Sequence, residues 1–234
     1  MSAPTHLFFD FFGTLVTYSP SRIDQGYARS HALLTEAGAS LFYESFLQRW
    51  DAIGHHFEQV AQRTLDEYSM DQICGEFLLE VLPRPPSDEL LGQFRDVYLD
   101  EWNKGVKYIT GVDRLLADLS GSFTLALVTN THHAPLVQYH LIQMGTAEAF
   151  TTTVTSIEHG RRKPDPSIFH RALHETGGTA DSCVYVGDSF AADYRGAFNA
   201  GIACLLIDPL ETHDVSPSHR IGDIHEVSER LIAL

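Results

Sequence analysis

Five short apolar runs punctuate the chain, each closed by polar or glycine-rich residues: HLFF (6–9), FTLALV (123–128), FTTTVT (150–155), CVYV (183–186) and ACLLI (203–207). Runs of this length, bounded by turn formers and rich in aromatic and β-branched residues, predict buried strands. The run at 150–155 is the weakest of them. Helical patterns lie between the later runs. In GVDRLLADL, Val112, Leu115, Leu116 and Leu119 recur at helix spacing. DPSIFHRALHE offers Asp165 as N-cap, Pro166 at the first helical position, and Ile168, Phe169, Ala172 and Leu173 as the buried stripe. SFAADYRGAFNAG predicts a helix that begins after Ser189 and stops at Gly201. Strand and helix alternate, so this half predicts an α/β fold: a parallel sheet with helices on both faces.

Residues 17–105 follow another rhythm. Phe42, Phe46, Trp50, Ile53 and Phe57 recur at three- and four-residue steps, which predicts one apolar helix face. Ile73, Phe77, Leu78 and Val81 continue the style. PRPPS (83–87) breaks it, and Ser87, Asp88 and Glu89 open a further helix carrying Leu90, Leu91, Phe94, Val97 and Tyr98. The stretch contains no convincing strand. The expectation is an inserted all-helical domain at 17–105, with the sheet domain formed from 1–16 and 106–234.

Composition narrows the function. The 234 residues suffice for one large domain carrying an insert, and the formal net charge is −15. A phosphate-backbone footprint or an anionic lipid surface needs clustered Lys and Arg, so neither nucleic acid nor membrane is an expected partner. No apolar run approaches the length of a membrane span. The N-terminal MSAPTHLFFD has no basic segment before its apolar run, so it does not read as a secretory signal. Cys74, Cys183 and Cys204 are few, odd in number and far apart, which predicts buried reduced thiols and a cytoplasmic protein.

Four polar stations fall where strands end: Asp10 with Gly13 and Thr14; Thr129 with Asn130; Lys163 in RRKPDP; and Asp188 with Asp193 in VYVGDSFAAD. Ligands of open α/β sheets bind beyond these carboxyl ends. Lys163 is one of three lysines among sixteen basic residues, in a background that prefers arginine. Asp10 and Asp188 would repel across a small cleft unless a cation lay between them. Hard oxygen ligands favour Mg²⁺, which takes one or two carboxylates together with a substrate phosphate. Lys163 would offset the remaining charge. The Thr129 hydroxyl and the amides of the turn after Asp10 could hold phosphoryl oxygens, and Asp10 is a candidate nucleophile forming an aspartyl-phosphate.

These stations resemble, in order, the four motifs of the haloacid dehalogenase-like hydrolase superfamily: DFFGTL, VTN, KPDP and GDSFAADYRGAFNAGI, between residues 7 and 202. The resemblance implies a Rossmann-like core, a helical cap between motifs one and two, and a covalent aspartyl intermediate on a small-molecule substrate. It assigns Asp10 as nucleophile, Thr129 and Lys163 as contacts to the transferred group, and Asp188 as a Mg²⁺ ligand with Asp193 in support. Phe12, Gly13, Thr14 and Asn130 would contact substrate. The departure is Phe12. Phosphatases of this superfamily usually carry an aspartate there, which protonates the leaving alkoxide and later activates water. Phenylalanine leaves only its backbone carbonyl as a metal ligand. Losing a general acid/base typically costs about 10²- to 10⁴-fold in rate.

Three readings compete. One is a Mg²⁺-dependent phosphatase with altered acid/base chemistry, for which His132 and His133 are candidate proton sources. Another is a 2-haloacid dehalogenase, whose branch resembles this chain in placing an aromatic two residues after the nucleophile but typically has a metal-free Ser/Asn fourth motif. The third is a phospho-ligand binding protein of low turnover. A phosphonatase would need a Schiff-base lysine in its cap, and residues 17–103 contain none. A response-regulator receiver would be shorter and lack the insert. Arg22, Arg29, Arg49, His55, His56 and Tyr43 are the polar candidates for substrate selection in the insert. Either a monomer or a homodimer is compatible with the sequence.

Overall fold

The computed structural model describes residues 3–19 and 25–232. The chain divides into two compact units: Met1–Thr17 with Tyr108–Leu234, and Tyr18–Lys107. Its strands are β1 (His6–Phe9), β2 (Val16–Tyr18), β3 (Val106–Tyr108), β4 (Thr124–Thr129), β5 (Thr152–Thr155), β6 (Cys183–Gly187), β7 (Ala203–Ile207) and β8 (Arg220–Ile221). Its helices are α1 (Ala28–Glu36), α2 (Tyr43–Thr64), α3 (Met70–Val81), α4 (Asp88–Asn103), α5 (Val112–Ser120), α6 (Ala134–Gln143), α7 (Ser156–His159), α8 (Pro166–Thr176), α9 (Arg195–Asn199) and α10 (Val227–Ile232).

The first unit is a parallel six-stranded sheet in the order β5-β4-β1-β6-β7-β8. All five expected strands are present. β8, two residues long, and β2 and β3, three each, are too short to leave a pattern in the sequence. Successive side chains of a strand point to opposite faces, so a run buried on both must be apolar throughout. Leu7, Phe8 and Phe9 of β1 are fully buried. Phe8, Ala126, Val128 and Tyr185 share one face with Ile168, Phe169, Ala172 and Leu173 of α8 and Ala197 of α9. α5 lies against β4 and buries Leu116 and Leu119. Cys74, Cys183 and Cys204 are free and buried.

Local signals account for most boundaries. The Asp165 side chain accepts from the Ser167 amide, with Pro166 opening α8. The expected single helix after Ser189 is instead a wide π-turn over Phe190–Tyr194 followed by α9. The Asp193 and Tyr194 amides both donate to the Ser189 carbonyl, at 2.9 and 3.1 Å. Such bulges re-aim a side chain, and here Asp193 turns wholly inward.

The second unit is helical, and its core gathers Phe46, Trp50, Ile53, Phe77 and Phe94. The Trp50 indole donates to the Tyr98 hydroxyl at 2.7 Å. Ser69 and Ser87 cap α3 and α4. Phe42 departs from the expected apolar face: it is 85% exposed, because it stands before the first turn of α2 at ψ 151°. Among the described residues, no helix is long and apolar enough to cross a membrane. Phe46→Ala is expected to cost about 3–5 kcal/mol through cavity formation, and Phe42→Ala no more than about 0.5 kcal/mol. Urea unfolding followed by circular dichroism measures both.

Candidate active site

The sheet order reverses direction between β1 and β6, which is where open α/β sheets leave a crevice beyond their carboxyl ends. Phe9 stands opposite Val186, and the Asp10 amide carries the ladder one step further by donating to the Val186 carbonyl at 2.9 Å. Asp10 therefore leaves β1 beside Gly187, and Asp188 follows at the end of β6. Thr129 is the last residue of β4, the neighbour of β1 on the other side.

Lys163 reaches this point from the loop before α8. It is 3% exposed, and its ammonium donates to Asp10 Oδ1 at 2.8 Å, to Asp193 Oδ1 at 2.6 Å and to the Tyr185 hydroxyl at 2.7 Å. An ammonium has three protons, and each has a partner here. The lysine's backbone is held as well. The Asn130 side chain accepts from the Lys163 amide at 2.8 Å and donates to the Lys163 carbonyl at 3.1 Å. Asp193 takes the Ser189 amide on its other oxygen at 2.8 Å. A Cβ on Gly187 would overlap Asp193, so only glycine lets that carboxylate lie against the end of β6.

Asp188 accepts from the Thr14 hydroxyl at 3.0 Å. Gly13 has φ +91°, and a Cβ there would overlap the Asp188 carboxylate. Glycine thus meets two demands at once, a left-handed backbone and a close approach. Oxygens of Asp10, Asp188 and Asp193 all lie within 4.8 Å of one another. Burial pushes the Asp10 carboxyl up to about 7, opposed by Lys163 and reinforced by Asp193 and Asp188. Burial and Asp193 likewise raise Asp188. The Lys163 ammonium is held above its ordinary range by Asp10 and Asp193, against the effect of burial. Three carboxyls beside one ammonium leave an excess of two negative charges in a buried space once all three are ionised. The Thr129 hydroxyl is buried with no hydrogen-bond partner. Hard oxygen donors at this spacing, with an unmatched double charge, fit a divalent cation such as Mg²⁺.

The structure brings Asp10, Lys163, Asp188 and Asp193 together and places Thr129 at the end of the adjoining strand. It also gives three others partners within the chain. The Gly13 and Thr14 amides close the turn, donating to Val16 O at 2.8 Å and Phe11 O at 3.3 Å, and the Thr14 hydroxyl serves Asp188. The Asn130 side chain serves Lys163. Phe12 packs edge-on against Phe11 and His140, at ring separations of 4.9 and 6.4 Å. His132 and His133 follow motif two, half-buried, and the His133 amide donates to Thr131 Oγ1 at 3.2 Å. In the helical unit, Arg29 pairs with Asp100, and Arg49 with Glu80 at 2.7 Å. His31 meets the Tyr43 ring edge-on, and the His55 ring meets the Gln59 amide at 2.8 Å. Arg22 lies outside the described residues. Sequence reading missed Tyr185. Its signal was a phenol inside a strand buried on both faces, where the hydroxyl must find a partner. It also missed Ser156, which ties the Thr131 amide at 2.9 Å.

The model of the haloacid dehalogenase-like hydrolases matches residues 4–201. The chain belongs to this family. Among its relatives, the phosphoserine phosphatase of Thermus thermophilus is 36% identical over 107 residues, 44% of this chain and 43% of that protein. The chain thus spans less than half of that relative. The ribulose-1,5-bisphosphate 5-phosphatase of Halopiger xanaduensis is 25% identical over 92% of this chain and 89% of its own. A 2-haloacid dehalogenase from Pseudomonas syringae pv. tomato shares the fold with a TM-score of 0.76, at 21% identity over 98% of this chain and 99% of that one. The HAD-hydrolase YfnB of Bacillus subtilis, solved bound to magnesium, shares it at 0.67, at 20% identity over 97% and 98%.

Removing one partner of a buried ion pair leaves an uncompensated charge and costs about 3–5 kcal/mol. Lys163→Met is expected to lose that much in urea unfolding. Adding Asp193→Asn should recover part of the loss, since it removes one of the stranded carboxylates.

Proposed function

We propose that this haloacid dehalogenase-like hydrolase is a Mg²⁺-dependent phosphatase of a small organic phosphate. The observation that carries the reading is the buried charge imbalance: three carboxylates lie within 4.8 Å of one another, and one lysine, bonded to two of them, is the cation among them. A metal-free dehalogenase has no use for the excess, whereas a phosphatase fills it with a divalent cation. The phosphatase relatives support the same side. Asp10 and Asp188 would hold the ion, with the Phe12 carbonyl in the same turn and Asp193 supporting from beneath. Bound there, Mg²⁺ would neutralise carboxylate and phosphoryl charge and orient the substrate.

The chain's own residues do the rest. An Asp10 carboxylate oxygen attacks phosphorus, the phosphorus–oxygen bond to the leaving group breaks, and that oxygen departs with the electron pair. Lys163 aligns Asp10 and favours its ionised form against the effect of burial. The Thr129 hydroxyl donates to a phosphoryl oxygen. Water then attacks phosphorus, the bond from phosphorus to the Asp10 oxygen breaks, the water's proton passes to solvent or to the departing phosphate, and Asp10 is restored as a carboxylate. Phe12 offers the leaving oxygen no proton, so departure depends on the leaving group's own acidity or on a proton from solvent. Phe12 is also the observation that favours the second reading, a dehalogenase forming an aspartyl ester, because halide needs no proton.

Assays with p-nitrophenyl phosphate, acetyl phosphate and L-2-chloropropionate, each with Mg²⁺ and with EDTA, separate the readings. Phosphate release abolished by EDTA is expected. Halide release indifferent to EDTA would establish the dehalogenase, and no release would leave a binding protein of low turnover. Phe12→Asp is expected to raise turnover of simple alkyl phosphates by about 10²-fold; an unchanged rate would contradict the role given to that position.

The raised Asp10 carboxyl adds a pH test. Its folded value, about 7, lies above the unfolded 3.8, so its ionisation opposes folding of the metal-free protein as pH rises from about 4 through 7. Metal binding must displace that proton. The Mg²⁺-induced rise in melting temperature should therefore be larger at pH 8 than at pH 5.5.

A further inference from the structure

The buried hydroxyl of Tyr185 lies at the foot of Lys163. We infer that Tyr185 is a positioning residue for catalysis: by taking the third ammonium proton of Lys163, it aims the lysine at the Asp10 nucleophile and withholds it from the leaving group. This rests on the hydrolase reading above.

The Tyr185 ring is wholly buried, packed edge-on against Phe169 at 5.1 Å, so its hydroxyl has one position. That hydroxyl accepts from Lys163 at 2.7 Å and has one proton to give. Two acceptors surround it, the Val128 carbonyl at 2.8 Å and Asp193 Oδ1 at 3.1 Å. Val128 precedes Thr129 in β4, and Asp193 stands on the π-turn after β6. The phenol therefore ties Lys163 to the two strands flanking β1, which carries Asp10. Burial and the neighbouring Asp193 and Asp10 keep it a neutral phenol, so it can accept and donate at once.

Two of the lysine's three protons point to carboxylates and the third to this phenol. Lys163 thus has only its Asp10-directed proton facing the reacting group. In that geometry it offsets charge on the nucleophile's oxygen before attack and when Asp10 is released. Phenylalanine at position 185 would preserve packing but free one N–H, letting the ammonium swing.

Tyr185→Phe tests this, with Val184→Ala as control. Val184 precedes Tyr185 in β6, is buried, and points to the opposite face. In whichever of the substrates above the wild type hydrolyses, Tyr185→Phe should lower kcat by about 10- to 100-fold with KM within about 2-fold, since a misplacement near 1 Å costs about that much. Val184→Ala should leave kcat unchanged. A second readout needs no turnover. The chain has three lysines, and Lys104 and Lys107 are exposed while Lys163 is not. Selective ¹⁵Nζ-lysine labelling should give one slowly exchanging, hydrogen-bonded ammonium signal, sharp in wild type and Val184→Ala, broadened or lost in Tyr185→Phe. An unaltered signal in Tyr185→Phe, or equal losses of kcat in both variants, would overturn the proposal. A wild type that hydrolyses none of the substrates would defeat the functional reading alone, and the ammonium signal would still decide whether Tyr185 orders Lys163.

Discussion

A buried ammonium surrounded by carboxylates is the constraint on which the first unit's architecture turns. Taking charges out of water costs several kcal/mol per ion unless each finds well-placed partners. Lys163 meets that demand with three acceptors at 2.6–2.8 Å. Each acceptor comes from a different place in the chain: the end of β1, the middle of β6 and the π-turn beyond β6. The folded sheet is therefore what brings the charge cluster together. The wide turn at Phe190–Tyr194, the absent Cβ at Gly187 and the Asn130 clamp on the Lys163 backbone all follow from holding this group still.

The same cluster is what the proposed divalent ion would neutralise. One lysine answers one carboxylate, and two further negative charges remain near it. The cost appears as the raised Asp10 and Asp188 carboxyls. Strain of this electrostatic kind is common where chemistry is done. It gives a ligand that neutralises the site a large reason to bind. The partnerless Thr129 hydroxyl adds a polar group awaiting an oxygen.

Much of this was legible in the sequence. β1 and β6 announce themselves because burial on both faces demands apolar runs, and the acids that end them stand out against that background. Asp165 and Pro166 mark α8 by capping chemistry, and that fixes where Lys163 must lie. What was not legible depends on tertiary neighbours. Tyr185 reads as one more strand residue until Lys163 and Asp193 are seen on its hydroxyl. Asn130 reads as a ligand-facing side chain until its amide is found clamped to Lys163. Phe42 continues a helical stripe on paper, but the helix begins one residue later and leaves it in solvent. Within the turn after Asp10, the Gly13 and Thr14 amides close the turn itself, a use that depends on backbone geometry and leaves no mark in the sequence. The haloacid dehalogenase-like family was readable throughout, because its motifs sit at strand ends that pattern alone locates. The reaction was not, because Phe12 and Asp188 favour different branches.

The proposed phosphatase chemistry requires Asp10 and Asp188 to share a divalent cation. A crystal structure grown with Mg²⁺ and beryllofluoride tests it most directly. The expected result is one Mg²⁺ ligated by oxygens of both aspartates, with beryllium on Asp10 and the Thr129 hydroxyl on a fluoride. Asp10 and Asp188 left without a shared ion under those conditions would contradict it.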